Sequence, residues 1–175
     1  MVNVEIQSFR PGHAKRFAEL NREWLERYDL MEPAEEEQLA DPKKYFVDRG
    51  GQIFVALHDD HVIGTCAVIP HGVGEVELAK LTVAPEFRGQ GIARRLVEHC
   101  ISWARERGVR RLLLVSNSQL QAALRLYESL GFRYSPLPED RKYVVADVCM
   151  VLSLGSADPA ASRAPRDDGA GAGRS

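Results

Sequence analysis

Apolar and polar positions alternate from Val2 to Phe9, with Val2, Val4 and Ile6 on one side. That period of two predicts a strand. Pro11 suits a helix start, and Phe17, Leu20, Trp24 and Tyr28 then recur at helical spacing. Asp29 to Asp41 is acidic, without Lys or Arg, and contains or adjoins Pro33 and Pro42. It reads as a short helix with loops. Gln52 to Leu57 and Val62 to Ile69 are β-rich runs joined by the polar His58-Asp59-Asp60-His61, a hairpin pattern. Gly72 and Gly74 mark a turn, and Glu75 to Val83 predicts the next strand. From Gly91 to Arg107 the stripe Ile92, Leu96, Cys100, Ala104, flanked by Ala93, Val97 and Ile101, predicts a helix that Gly108 closes. Leu112 to Val115 is continuously apolar, as in a strand buried on both faces. Ser118 to Leu130 carries Leu120, Leu124, Tyr127 and Leu130 at helical spacing before Gly131. Phe132 to Tyr134 is a short strand, and Tyr143 to Leu154 contains the last one. The order predicts an α/β chain of the α+β type, a mixed sheet with helices on both faces.

Composition sets the limits of this reading. Of 175 residues, 45% are hydrophobic and 27% charged, the profile of a globular domain. Gly155 to Ser175 contains no Leu, Ile, Val, Met or aromatic residue. Such a segment buries too little apolar surface to offset its ordering entropy. The expected organisation is one domain over 1–154 and a disordered tail over 155–175. No apolar run approaches the roughly 20 residues of a membrane span, and the N-terminus lacks a signal-peptide core. Net charge is -2, against a dedicated nucleic-acid binder. Cys66, Cys100 and Cys149 are far apart among apolar neighbours, as reduced buried thiols of a cytoplasmic protein would be. His58 and His61 flank a turn without further ligands nearby, so no metal is expected.

The chemistry concentrates in Leu81-Thr82-Val83-Ala84-Pro85-Glu86-Phe87-Arg88-Gly89-Gln90-Gly91-Ile92-Ala93-Arg94. A strand feeds a glycine-rich turn that opens a helix. This aims backbone N–H groups and a helix dipole at one spot, a phosphate or pyrophosphate site. A P-loop needs Gly-Lys-Ser/Thr, whereas Ile92-Ala93 follows Gly91. A dinucleotide fingerprint needs a small residue where Arg94 stands. Arg88, Gly91 and Ala93 satisfy Arg/Gln-x-x-Gly-x-Gly/Ala instead.

That pattern resembles the pyrophosphate signature of the GCN5-related N-acetyltransferase (GNAT) superfamily. Leu81-Thr82-Val83 before Ala84-Pro85 is similar to the family's fourth strand. Asn117, Leu126-Tyr127-Glu128 and Leu130-Gly131-Phe132 are similar to its second cofactor motif. The element order matches from Val2 to Leu154 and is least like the family over Asp29 to Gly50. The resemblance implies a mostly antiparallel sheet of six to seven strands, splayed between strands four and five, with acetyl-CoA in the cleft.

The resemblance also implies roles. Leu81, Thr82 and Val83 would hold the pantetheine arm through their backbone, with the Val83 amide polarising the thioester carbonyl. The amides of Arg88, Gly89, Gln90, Gly91, Ile92, Ala93 and Arg94 would hold the pyrophosphate. Asn117 would bond the cofactor arm or a water, or else cap the next helix. Tyr127 would protonate the coenzyme A sulfur. Glu77 would be the general base, since a free amine is largely protonated near neutral pH. Trp24, Tyr28 and Glu77 would border the acceptor, with the acidic run from Asp29 favouring a cation. The expected activity is direct acetyl transfer to a primary amine of a small, amino-acid-like or polyamine-like molecule, by a monomer or homodimer that engages neither nucleic acid nor membrane. The alternatives are a protein or peptide acceptor, or a non-catalytic coenzyme A sensor on the same fold.

Overall fold

Seven strands form one sheet in the order β1-β2-β3-β4-β5-β7-β6. The strands are β1 Glu5–Ser8, β2 Gln52–His58, β3 His61–Gly72, β4 Glu75–Val83, β5 Arg111–Ser116, β6 Arg133–Ser135 and β7 Val148–Ser153. The helices are α1 Ala14–Arg27, α2 Pro33–Ala40, α3 Ile92–Glu106 and α4 Gln121–Ser129. This computed structural model describes residues 2–140 and 142–155. The disordered tail expected over 155–175 lies, from residue 156 on, outside the described residues.

Every pairing is antiparallel except β4 with β5. The two faces are told apart by neighbours on β3. The Thr65 hydroxyl accepts from Asn21 of α1, 3.1 Å away. One residue earlier, Gly64 lies against Leu96 of α3, where an added Cβ would come within 3.1 Å. Successive strand residues point to opposite faces, so α1 and α3 cover opposite sides of the sheet. Phe17, Leu20, Ile53, Val68, Leu96, Val97, Leu112 and Met150 fill the core between these layers.

Two irregularities shape the site. The first is in β4. Thr65 pairs with Thr82, but Ala67 pairs with Ala79, so β4 carries one residue more than β3 across this step. Lys80 absorbs the excess at φ 58, a left-handed conformation that β-carbon sterics disfavour. The bulge ends the simple alternation expected from Glu75 to Lys80. Period-two spacing sets Lys80 with Val76 and Leu78, opposite Glu77. Instead the Lys80 ammonium is buried beside Glu77 and pairs with Glu35 of α2.

The second irregularity is the parallel ladder. Only Glu75, Val76 and Glu77 of β4 pair with Arg111, Leu112 and Leu113 of β5. β5 meanwhile stays paired with β7 along its whole length. Beyond Glu77 the two strands part, as the splayed sheet requires.

Other elements shift in detail. The N-terminal strand shortens to Glu5–Ser8, and Pro11–His13 forms a 3-10 turn before α1. α4 begins at Gln121 rather than Ser118. Asn117 Oδ1 accepts from the Gln119 amide, and Asp147 binds the Ser118 amide and hydroxyl, which diverts these residues from the helix. Lys43–Val47 forms a π-helical turn that the sequence pattern did not predict.

Candidate active site

The parting of β4 from β5 opens a cavity of about 120 Å³. Glu77, Lys80 and Leu81 of β4 face Ser116 and Asn117 across it, with Tyr127 of α4 and Trp24 of α1 closing the sides. A second cavity, of about 180 Å³, lies toward the first half of β4 and is bordered by His71, Glu77, Asp140, Lys142 and Tyr143. Glu77 and Tyr143 belong to both walls.

Glu77 has no ion-pair partner among the described residues. Its neighbour Glu75 is engaged, with Arg111 at 2.5 Å and the His71 ring at 3.0 Å. Burial pushes the Glu77 carboxyl up from the usual carboxylate range, and Glu35 pushes the same way. His71, Lys142 and Lys80 pull it down. The result is a carboxylate with raised proton affinity facing two cavities, which suits a general base.

Behind it lies a polar cluster that sequence spacing did not disclose. Lys80 and Glu35 form an ion pair whose side chains are 5% and 9% exposed. Burial pulls the Lys80 ammonium below the ordinary lysine range, although Glu35 and Glu77 oppose the shift. Gln38 donates to the Tyr143 hydroxyl at 2.6 Å. Burial raises the Tyr143 hydroxyl above its ordinary value, so it stays protonated. The acidic run therefore contributes chiefly through Glu35. Glu36 pairs with Arg22, and Glu32 accepts from the Val144 and Val145 amides.

Tyr127 is 7% exposed and packs on Phe132 with ring centroids 5.6 Å apart. Burial, with the Cys66 and Cys100 thiols nearby, raises its hydroxyl far above the ordinary tyrosine value. It remains a proton carrier at any ordinary pH. All three cysteines are free and buried. Asn117 lines the cavity while its amide donates to the Val145 carbonyl at 2.8 Å and its oxygen holds the Gln119 amide. Trp24 reaches the cavity wall. Tyr28 does not: its ring stacks on Trp24 with centroids 4.6 Å apart.

The turn after β4 has the features of an anion cradle. Gly89 and Gly91 adopt φ 76 and 77, and a Cβ at either would meet no atom within 4 Å. Gly91 caps α3, whose first-turn amides lack partners inside the helix. Arg88 donates to the Val83 carbonyl at 3.1 Å and lies 5.0 Å over Trp24. Arg94 bonds the Ser129 hydroxyl at 2.6 Å. Donors on the free edge of β4, leading to open space over unpaired amides, fit the arm and pyrophosphate of acetyl-CoA. Among the described residues, no group of three or more His, Cys, Asp or Glu could hold a metal ion. Nor is any helix long and apolar enough to cross a membrane.

Comparison with known proteins agrees with this geometry. The family model described as "Acetyltransferase (GNAT) family" matches residues 16–132. N-acetyltransferase 8 of Rattus norvegicus is 35% identical over 96 residues, 52% of this chain and 43% of the relative. Mycothiol acetyltransferase of Thermobifida fusca is 29% identical over 156 residues, 79% of this chain and 48% of the relative. The chain thus spans about half the length of these curated relatives. Among solved structures, a GNAT-family acetyltransferase of Staphylococcus aureus superposes with TM-score 0.80 at 18% identity, covering 87% of this chain and all of that one. A phosphinothricin acetyltransferase of Sinorhizobium meliloti, in complex with acetyl-CoA, gives 0.71 at 20% identity, over 87% of this chain and 89% of that one. At such identities the structures establish the shared fold.

The fold is the one shared by these acetyltransferase structures. The chain belongs to the acetyltransferase (GNAT) family, the family model covering more than half of its length.

Proposed function

We propose that this chain moves an acetyl group from acetyl-CoA to the primary amine of a small molecule, with donor and acceptor bound together. The observation that carries this reading is Glu77, an unpaired carboxylate of raised proton affinity on the wall shared by both cavities. Acetyl-CoA, when bound, supplies an activated acyl thioester. Leu81, Thr82 and Val83 hold its arm through the free edge of β4, and the amides from Arg88 to Arg94 hold its pyrophosphate. The Val83 amide donates to the carbonyl oxygen as negative charge develops there. Glu77 takes a proton from the acceptor amine, directly or through water. As the N–C bond forms and the C–S bond breaks, the Tyr127 hydroxyl gives a proton to the departing sulfur and is restored by the second proton that the nitrogen sheds, while Glu77 releases the first to solvent.

Two observations support a small acceptor. The cavity on the acceptor side is about 180 Å³, below the roughly 300 Å³ at which drug-sized pockets begin. The names of the mycothiol and phosphinothricin enzymes also point to small molecules as the acceptors of those proteins.

The test is thermal unfolding with acetyl-CoA, and separately with ATP and NAD, followed by an amine screen. A ligand at 100 times its Kd adds about 2.7 kcal/mol, a plain melting shift. A shift with acetyl-CoA alone and turnover of small amines supports the reading. A shift with a nucleotide instead overturns the donor site. Tyr127→Phe should lower kcat and leave acetyl-CoA affinity unchanged; equal losses in both would make Tyr127 a packing residue.

A further inference from the structure

The acceptor-side cavity is bordered by two opposite charges that form no ion pair among the described residues, although each feels the other's field. Glu77 supplies the negative one. The positive one is Lys142, which has no carboxylate within ion-pair distance among the described residues. It is not a loose surface lysine. Its ammonium donates to the Tyr45 hydroxyl at 2.8 Å and lies 5.3 Å from the centre of that ring. Arg49 stacks over the same ring at 4.2 Å, so two cations converge on Tyr45. Among the described residues, the remaining charged groups on this wall form no ion pair with Lys142. His71 is engaged with Glu75, and Asp140 is exposed at the rim. Lys80, the other ammonium near Glu77, is already matched by Glu35.

Position along β4 separates Lys142 from the donor's phosphates. Glu77 lies in the first half of the strand, and the anion cradle begins beyond Val83. At about 3.3 Å per residue that interval is roughly 20 Å. Lys142 borders the cavity at the Glu77 end. Its charge therefore lies on the acceptor's side of the cleft rather than beside the phosphates.

Resting on the small-amine reading above, we propose that the acceptor is a free amino acid, its amine at Glu77 and its carboxylate on Lys142. A molecule carrying both groups compensates both charges of the cavity at once. A simple amine leaves Lys142 unmatched, and a polyamine also adds a second cation beside it. Lys142 is a specificity-determining residue in this arrangement; it carries no proton itself, although its charge lowers the proton affinity of Glu77.

The test uses the full chain with acetyl-CoA and follows release of the coenzyme A thiol. The acceptors are the common amino acids, each beside its carboxamide and its decarboxylated amine. For at least one such set, the amino acid should exceed both analogues in kcat/KM by about tenfold to a hundredfold, the worth of a charge-assisted hydrogen bond. Lys142→Met should erase that preference, chiefly through KM, with the amino acid losing far more than its carboxamide or its amine; any change common to all three reports the loss of a cation near Glu77. Lys142→Arg should retain it, and Lys142→Glu should reverse it in favour of the decarboxylated amine. Lys142 is exposed, so these variants should fold, as an unchanged melting shift with acetyl-CoA would verify. Turnover of amines or carboxamides ahead of every amino acid overturns this inference and leaves the acetyltransferase reading intact. An equal loss for all three acceptor classes in Lys142→Met overturns it as well. No turnover of any small amine overturns both.

Discussion

Glu77 is held in tension between solvation and use. Burial raises its pKa, so ionising it costs the folded chain stability once pH climbs past the ordinary carboxylate range. The sign follows directly. Below the unfolded-state pKa the group is neutral in both states and the penalty is absent; it grows as pH rises through the raised folded value. Glu77→Gln should therefore raise Tm at neutral pH and lose that gain in acid. The same variant should lower kcat by about 10²- to 10⁴-fold if Glu77 is the base. In the parent chain the acidic limb of the kcat/KM profile should lie above the usual carboxylate range, and the variant should lack it. A variant with full activity would remove Glu77 from the chemistry. The resemblance pointed to Glu77, four residues before Leu81, and to Tyr127 in Leu126-Tyr127-Glu128, and both border the cavity; their roles rest on the variants proposed. Lys80 and Glu35 were not legible in the sequence, for a physical reason. They lie 45 residues apart, and the strand period puts Lys80 opposite Glu77 until the bulge turns it inward.

The bulge is itself sustained by a relay between elements. Asn21 of α1, 2% exposed, donates to the Thr65 hydroxyl of β3 at 3.1 Å. Thr65, fully buried, donates in turn to the Lys80 carbonyl at 2.6 Å. Three elements thus share the bond that an ordinary ladder position would supply. Thr65→Val keeps the shape and deletes the hydroxyl, so the Lys80 carbonyl loses this donor and Asn21 keeps only its bond to the Phe17 carbonyl. The expected cost is about 1–3 kcal/mol, read as a lower denaturation midpoint, with activity falling as β4 loses its local geometry. At the start of α3, Gly91→Ala should cost about 1 kcal/mol for its left-handed φ and raise KM for acetyl-CoA. An unchanged KM would place the pyrophosphate elsewhere. Strands and helices were largely legible from their periods, as with β2, β3 and α3. The start of α4 was not, because Asp147, remote in sequence, captures Ser118. The π-helical turn at Lys43–Val47 has no period that would announce it.

At the scale of the molecule, the antiparallel order of the sheet and its one parallel contact follow from the chain's element order. The splay was expected from the resemblance alone, since nothing in the composition of β4 or β5 announces where their pairing stops. The polar cluster behind Glu77 draws on α2, β4 and the segment before β7, so it exists only once the whole chain has folded. This is why the resemblance, carried by the turn and by α4, speaks chiefly to the proposed donor side, whereas the polar groups proposed for the acceptor side, beyond Glu77, are read from side chains.

The short ladder between β4 and β5 divides the sheet mechanically. β1 to β4 form one panel and β5, β7 and β6 another, stitched by three residue pairs at one end. Such a sheet resembles a zip left mostly undone, and its weakest line runs through the cleft between β4 and β5. Hydrogen exchange should find amides on the facing edges of β4 beyond Glu77 and of β5 beyond Leu113 faster than those of β2 and β3. Added acetyl-CoA should slow them more than any other part of the sheet. Anything seated in that gap would act as the missing seam, so donor binding would also brace the fold against being pulled apart.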